Sequence, residues 1–300
     1  MASSFNEERA NQLEQEGRDL ADLGRAEAAL QRYHQVLTLE PDRPSTLYNI
    51  GLVHKYRAEW EQSYTFNLRA YRHRPDDEAT RWNLAIAATA LRDWDTARRM
   101  WHACGIKLDG QSGPISMKGG WSPVRLNPDR DGEVVWGYSL DPVRVVIRNV
   151  PLPESGFRYE DVVLHDGAPT GSRIVDGREY AVFNVLDLFQ PSAWSTYRVA
   201  VHAPTAETLR SLEEMAQAVN LGFEDWTTSL RNLCRACSEG TPHEHTNEST
   251  AWTSHRQIGL SAIEREQIDN LLEAWISRYG GQVEEVSLAL QAQPGHEKHE

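Results

Sequence analysis

The sequence predicts a multidomain chain in which an all-α solenoid is followed by a β-rich region and then by an α+β region. Three observations support this prediction. Residues 10–106 repeat small and apolar residues at a spacing of 34 positions. Residues 121–194 contain short runs rich in Val, Ile and Tyr between turn dipeptides, and residues 195–292 contain two similar β-α-β patterns about 60 positions apart.

The 34-residue period is clearest in residues 44–75. With Pro44 as position 1, Gly51 is at position 8, Ser63 at position 20 and Pro75 at position 32. The corresponding positions of the neighbouring periods hold Gly17, Ala29, Pro41, Ala85 and Ala97. Small residues let two antiparallel helices approach closely, and a proline prevents the second helix from continuing. The sequence therefore predicts three helix pairs that start near residues 10, 44 and 78.

This pattern resembles the tetratricopeptide repeat (TPR) over residues 10–106, which we expect to form a solenoid occupying residues 1–106. The resemblance implies a groove lined by the first helix of each pair, in which another protein or peptide binds. The implied partner-binding residues are Tyr48, Asn49, Leu52, Trp82, Asn83 and Ile86. The two asparagines look like the groove asparagines that pair with a ligand's backbone. Two alternatives stay open: the groove binds a partner, or the chain's own C-terminal region fills it.

Members of this family that clamp the terminal carboxylate of a chaperone carry basic residues at several groove positions. Glu14 and Ala79 occupy two of those positions here. That activity is therefore not expected of this chain.

After the repeats, residues 107–120 contain four glycines and Pro114 within a short stretch, which predicts a linker. In residues 121–194 the dipeptides Asp131-Gly132, Asp166-Gly167 and Asp176-Gly177 predict turns between short strands. Short strands at this spacing favour a small barrel or a sandwich.

Residues 195–292 are predicted to form an α+β, ferredoxin-like region built from a duplicated βαβ unit. Each unit has a strand-like run followed by apolar residues at helical spacing and a second strand-like run. Residues 293–300 are predicted to be a disordered tail.

A Cys/His loop at residues 234–245 contains Cys234, Cys237, His243 and His245. Two thiolates and two imidazoles can complete a tetrahedral zinc site, so the spacing predicts structural zinc. Four protein ligands leave no open position for a substrate. Two alternatives stay open: the cysteines continue the apolar spacing of the leucines before them and are buried, or they form a redox or catalytic metal site.

A second cluster, Asp161, His165 and Asp166, could be drawn as a catalytic set, but the Asp-Gly that follows the histidine is better explained as a turn. The sequence has no nucleophile elbow, no phosphate-binding P-loop and no dinucleotide-binding glycine motif. We therefore predict that the chain is not an enzyme.

The charge is unevenly distributed. The whole chain has a net charge of −13, of which residues 1–106 contribute −2 (14 basic against 16 acidic residues), so residues 107–300 hold the remaining −11. Such acidity argues against nucleic-acid binding. No apolar run is long enough to span a bilayer, the start of the sequence is polar and cysteines are few, so we expect a cytoplasmic protein without membrane contact.

These observations together predict a non-catalytic protein that binds another protein through the TPR groove, the acidic C-terminal surface or both. One specific form is an adaptor that acts as an inhibitor or immunity-type protein and neutralises one partner. The alternative is a metal-dependent enzyme that uses the Cys234, Cys237, His243 and His245 cluster.

Overall fold

A computed structural model describes residues 2–130, 132–175, 177–227 and 252–293. The chain divides into two compact units, Met1–Met117 and Lys118–Glu300. The first unit is helical and the second contains the strands. The predicted order, a helical repeat region followed by a sheet-rich C-terminal part, is confirmed.

Six consecutive helices occupy residues 2–103 of the first unit. They are α1 (Ala2–Asp22), α2 (Ala26–Leu39), α3 (Pro44–Tyr56), α4 (Trp60–His73), α5 (Glu78–Ala90) and α6 (Trp94–Ala103). Each helix contacts the next one in the chain, and in addition α1 contacts α3 and α3 contacts α5. The first helices of successive pairs therefore lie side by side, as in a stacked repeat.

The small residues of the period lie where the two helices of a pair touch. A Cβ atom added at Gly17 would come within 2.4 Å of the Tyr33 ring, and one at Gly51 within 2.4 Å of the Asn67 amide nitrogen. Ser63, on the facing helix of the second pair, donates a hydrogen bond to the Gly51 carbonyl at 2.9 Å. Side chains larger than hydrogen are thus excluded at these two positions by close helix contact.

The glycine-rich segment that follows α6 is attached to that helix by one side chain. Arg98 is 5% exposed, and its guanidinium donates six hydrogen bonds to five backbone carbonyls. Those carbonyls belong to Asp109, Gly110, Ser112, Gly113 and Pro114. We call this arrangement the Arg98 clamp. It holds residues 109–114 against the last helix of the repeat unit.

The second unit begins with a sheet of five strands that closes into a barrel. The strands are β1 (Trp121–Arg125), β2 (Val134–Ser139), β3 (Arg144–Ile147), β4 (Val162–Val175) and β5 (Arg178–Gln190). Successive strands pair antiparallel, and β1 closes the barrel by pairing parallel with β5. Val124, Val145, Ile147 and Val163 are fully buried in its core.

Two of the predicted turns in this region had different outcomes. Val175 pairs with Arg178, so the predicted hairpin between β4 and β5 is confirmed. The predicted turn at Asp166-Gly167 is wrong, because both residues lie within β4. The register of β4 against β5 shifts there, and Gly167 has a φ of +74°. A positive φ at glycine suits a β-bulge as well as a turn, which explains the mistaken assignment.

The rest of the second unit contains a sheet of four strands in the order β7-β8-β6-β9. Its elements are β6 (Ser195–His202), α7 (Ala206–Ala218), β7 (Gly222–Asp225), β8 (His255–Ala262), α8 (Arg265–Tyr279) and β9 (Gln282–Leu290). Neighbouring strands pair antiparallel. Buried residues of α7, α8 and the strands form one apolar core that includes Val199, Leu212, Ile258 and Trp275.

The barrel and the four-stranded sheet contact each other within the second unit. Trp226, 1% exposed, donates from its indole nitrogen to the Val150 carbonyl at 3.0 Å. Arg158 Nε donates to the Gln291 carbonyl at 2.9 Å. These contacts connect residues far apart in the sequence and join the barrel to the four-stranded sheet.

Candidate functional site

The six predicted partner-binding residues lie on two neighbouring helices. Tyr48, Asn49 and Leu52 are on α3, and Trp82, Asn83 and Ile86 are on α5. Tyr48, Asn49, Leu52 and Trp82 are half-buried. Asn83 and Ile86 are buried, at 3% and 0% exposure. The side chains with accessible surface are therefore the first four, which we call the groove face.

Asn83 joins the two helices through hydrogen bonds. Lys55 Nζ donates to Asn83 Oδ1 at 3.1 Å, and Asn83 also hydrogen-bonds the side chain of Tyr48. Burial raises the pKa of Tyr48, and the hydrogen bond from Asn83 opposes part of that shift. Tyr48 is therefore a neutral phenol at physiological pH. Asn83 fixes the positions of Tyr48 and Lys55 on α3.

Glu14 is the centre of a second polar cluster on the same side of the repeats. It is 2% exposed and lies 2.7 Å from Arg43 and 3.8 Å from Arg18. Asn49 Nδ2 donates to Glu14 Oε1 at 3.5 Å. The buried carboxylate is thus compensated by two guanidinium groups and orients the Asn49 amide.

Trp82 is held in place by the second helix of its own repeat. Its ring packs edge to face on Trp101, with ring centroids 4.8 Å apart. Trp101 is fully buried and donates to Thr89 Oγ1 at 3.3 Å. The exposed part of the Trp82 ring is therefore a rigid aromatic surface, which loses little entropy on binding.

The predicted zinc ligands Cys234, Cys237, His243 and His245 lie outside the described residues. Within the residues that the structure describes, no group of three or more His, Cys, Asp or Glu side chains is placed to hold a metal ion. Structural zinc at the Cys/His loop stays a prediction.

The Asp161, His165 and Asp166 cluster makes local contacts with the backbone. Asp161 is fully buried and accepts N–H bonds from Arg158 at 2.8 Å and Ser192 at 2.7 Å. His165 stacks on the Phe183 ring, and burial lowers its pKa to about 4. Its Nδ1 accepts the Gly167 N–H at 3.1 Å. These contacts give Asp161 and His165 a structural role in the barrel.

A cleft of about 380 Å³ lies between α7 and α8 in the second unit, and the sequence did not predict it. Its lining includes the apolar residues Met215, Val219, Leu221 and Leu271, together with Arg278. Because these residues continue the helical apolar stripes, they read as core positions in the sequence.

Part of the helical unit matches a known protein family. Residues 17–55 match the family described as TPR repeat. The N-terminal helices fit a TPR-type repeat region. TPR repeats generally bind other proteins, so this region indicates a role in protein–protein interaction.

Comparison of the whole chain adds little. No curated protein matches it. A solved structure, of a hypothetical protein from Neisseria gonorrhoeae, matches at 11% sequence identity with a TM-score of 0.24, and the match covers 59% of this chain and 99% of that one. Among the described residues, no helix has both the length and the apolar character needed to cross a bilayer.

Proposed function

We propose that the chain is a non-catalytic adaptor whose TPR groove face binds an extended segment of another protein. The observation that carries this proposal is the placement of Tyr48, Leu52 and Trp82 as half-buried apolar side chains on adjacent helices. Partly exposed aromatic residues on a rigid support are typical anchors of protein interfaces.

The polar groups beside these anchors indicate what kind of segment suits the groove face. Arg18 and Arg43 balance the carboxylates of Glu14 and Glu40, so the cluster offers no strong net charge. The Asn49 amide, which contacts this cluster through Glu14, belongs to the groove face and can hydrogen-bond a peptide backbone. An amphipathic segment with apolar side chains fits better than a highly charged one.

We further propose that the partner carries a basic surface and that binding neutralises its activity, as in an inhibitor or immunity-type protein. The support is charge: residues 107–300 carry −11 of the net −13. An acidic surface accelerates association with a basic partner and adds selectivity. This surface would act together with the groove face.

The test is to isolate partners from the native host with the full chain and to measure their affinity for defined variants. Truncating both aromatic anchors, Tyr48→Ala with Trp82→Ala, should weaken binding about 30-fold or more, since one such anchor contributes about 2 kcal/mol. Tyr56→Ala is the matched control, because Tyr56 is an exposed aromatic residue, at 59%, on the same helix.

The outcomes separate the possibilities. Loss of affinity with an unchanged circular dichroism spectrum and melting temperature supports the proposal. An unfolded double variant would mean that these rings stabilise the chain itself, and binding would then have to be sought on the acidic surface. Unchanged affinity in a folded variant would remove the groove face from the mechanism.

We also propose structural zinc at Cys234, Cys237, His243 and His245, supported by their spacing. Elemental mass spectrometry should find about one zinc per chain. The Cys234→Ser/Cys237→Ser variant should lose both the metal and thermal stability, because the binding energy of a structural site is folding energy. A metal held by fewer protein ligands, with an open position, would instead favour the metal-dependent enzyme.

A further inference from the structure

Two histidines lie side by side on neighbouring strands of the four-stranded sheet of the second unit. His202 at the end of β6 pairs with His255 at the start of β8. The Ala203 N–H donates to the Ser254 carbonyl at 2.7 Å, which makes His202 and His255 a non-hydrogen-bonded antiparallel pair. Side chains of such a pair lie on the same face and approach closely. The two ring centroids are 5.0 Å apart and the ring planes are inclined by 63°.

This separation fits two imidazoles bound to one metal ion. A zinc–nitrogen bond of about 2.1 Å places the metal about 3.2 Å from each ring centroid. Two rings at a tetrahedral angle would then have centroids about 5.2 Å apart. The 5.0 Å between the His202 and His255 ring centroids is close to that distance.

A neighbouring carboxylate orients one of the two rings for metal binding. His255 Nδ1 lies 2.7 Å from Glu284 Oε1, on β9. When this imidazole is neutral, Nδ1 must carry the hydrogen that the carboxylate accepts, which leaves the lone pair on Nε2 for a metal. Carboxylate–histidine–metal arrangements orient ligands in this way.

The other ring contains a buried nitrogen that lacks a hydrogen-bond partner. His202 Nδ1 is inaccessible to solvent and makes no hydrogen bond to any residue that the structure describes. Such buried polar atoms are uncommon in folded proteins and call for an explanation such as a bound ion or water. A metal ion between the rings would give the His202 imidazole a partner.

The surroundings also favour a cation and allow it to enter. The side chain of His255 is 71% exposed, so an ion can reach the pair from solvent. Glu284, whose carboxylate contacts His255, is also exposed. This carboxylate lowers the electrostatic energy of a bound divalent ion.

We propose that His202 and His255 bind a divalent transition-metal ion, Zn²⁺, Ni²⁺ or Cu²⁺, with Glu284 orienting His255 and water completing the coordination. Imidazole ligands select this class of metal over Mg²⁺ and Ca²⁺. The site is distinct from the Cys/His loop, because it uses neither its cysteines nor its histidines. Metal binding at this site would be a further activity of the chain, in addition to partner binding by the repeats.

The experiment is a calorimetric titration of the full chain, and of single-site variants, with NiCl₂ and separately with MgCl₂. We run it in wild type and in the Cys234→Ser/Cys237→Ser background, so that binding at the Cys/His loop is recognised by its loss in that background. We expect a saturable Ni²⁺ component in both and none for Mg²⁺. His202→Ala and His255→Ala should each abolish the component, and Glu284→Gln should weaken it about 10-fold or more.

The matched control is His73→Ala. His73 is also a partly exposed histidine beside an acidic residue, with its Nε2 3.5 Å from Asp42 Oδ1, but it belongs to the helical unit. This variant should retain the Ni²⁺ component. A component that survives both His202→Ala and His255→Ala, or no saturable component in a folded wild type, would overturn the proposal. Circular dichroism of each variant separates loss of ligands from loss of fold.

Discussion

The repeat unit and the sheet-rich unit are stabilised by contacts of different range along the sequence. In the repeats, Ser63 bonds to Gly51 twelve positions away, and Glu14 reaches Asn49 across 35 positions. In the second unit, Trp226 bonds to Val150 across 76 positions and Arg158 to Gln291 across 133. Short-range contacts repeat with the period of the sequence, whereas long-range contacts leave no periodic signal. We therefore expect the two units to respond differently to single substitutions.

The largest effect should come from a long-range contact. Trp226→Ala removes a buried indole that bonds to Val150 and packs on Gly259, where an added Cβ would lie 2.4 Å from the ring. We expect a loss of about 3–5 kcal/mol from the free energy of unfolding. Urea denaturation followed by circular dichroism measures it, and Trp121→Ala is the control because Trp121 is 56% exposed.

This variant also tests whether the barrel and the four-stranded sheet depend on each other. Hydrogen exchange should show faster exchange in both sheets of the variant, while helices α1–α6 keep their protection. Faster exchange in the four-stranded sheet alone would show that the barrel is stable by itself.

A smaller effect should follow from breaking the Arg98 clamp. Arg98→Met retains an apolar stem but removes six hydrogen bonds to residues 109–114. Because several of these residues are exposed, water replaces part of the bonding, and we expect a loss of about 3 kcal/mol. The repeat unit should unfold at lower urea, with faster proteolysis within residues 107–117.

The neighbouring Arg99→Met is the control for the clamp, because Arg99 is exposed and donates a hydrogen bond to Thr96 Oγ1 at 2.9 Å within its own helix. A change of stability in the barrel strands, as large as that in the helices, would contradict the idea that the clamp acts within its own unit.

The smallest effect should depend on pH and belong to the barrel. Burial raises the pKa of Glu133 from 4.5 to about 7, and nearby Glu224 and Glu154 add to the shift. The folded state therefore binds a proton that the unfolded state has released, so stability should fall as pH rises from about 4.5 to 7. Glu133→Gln should remove this slope.

At pH 8 the Glu133→Gln variant should be more stable than wild type by about 2 kcal/mol. The glutamine oxygen can still accept the Leu152 N–H that now bonds to Glu133 at 3.1 Å. Thermal melts between pH 4 and 8 measure the slope, and Glu179→Gln, at an exposed position of β5, is the control. An unchanged slope in Glu133→Gln would assign the pH dependence to another group.

The repeat unit was predictable because each of its rules acts over a short distance. Gly17 and Gly51 are small because Tyr33 and Asn67 press on them, and this relation recurs every 34 residues. The order of helical repeats before a sheet-rich part was predictable for the same reason. The burial of Ile86 was not, since a groove position and a core position look alike in a helix.

In the second unit the sequence predicted strands but not how far they extend. The β4 strand continues through Asp166-Gly167, because a bulge absorbs residues that otherwise favour a turn. The His202–His255 pair depends on the register between β6 and β8, which are separated by more than 50 residues. No local sequence pattern indicates that two histidines so far apart in the chain are neighbours in the fold.

The Arg98 clamp has a consequence for how the chain emerges during synthesis. The carbonyls that Arg98 needs lie only 11 to 16 residues after it. Loops of this length close in about 10–100 ns, whereas a ribosome adds only about 5–20 residues each second. The barrel, by contrast, includes a hydrogen bond from Arg125 to Asn184, 59 residues later in the chain. The helical unit can therefore be complete several seconds before the barrel has all its strands.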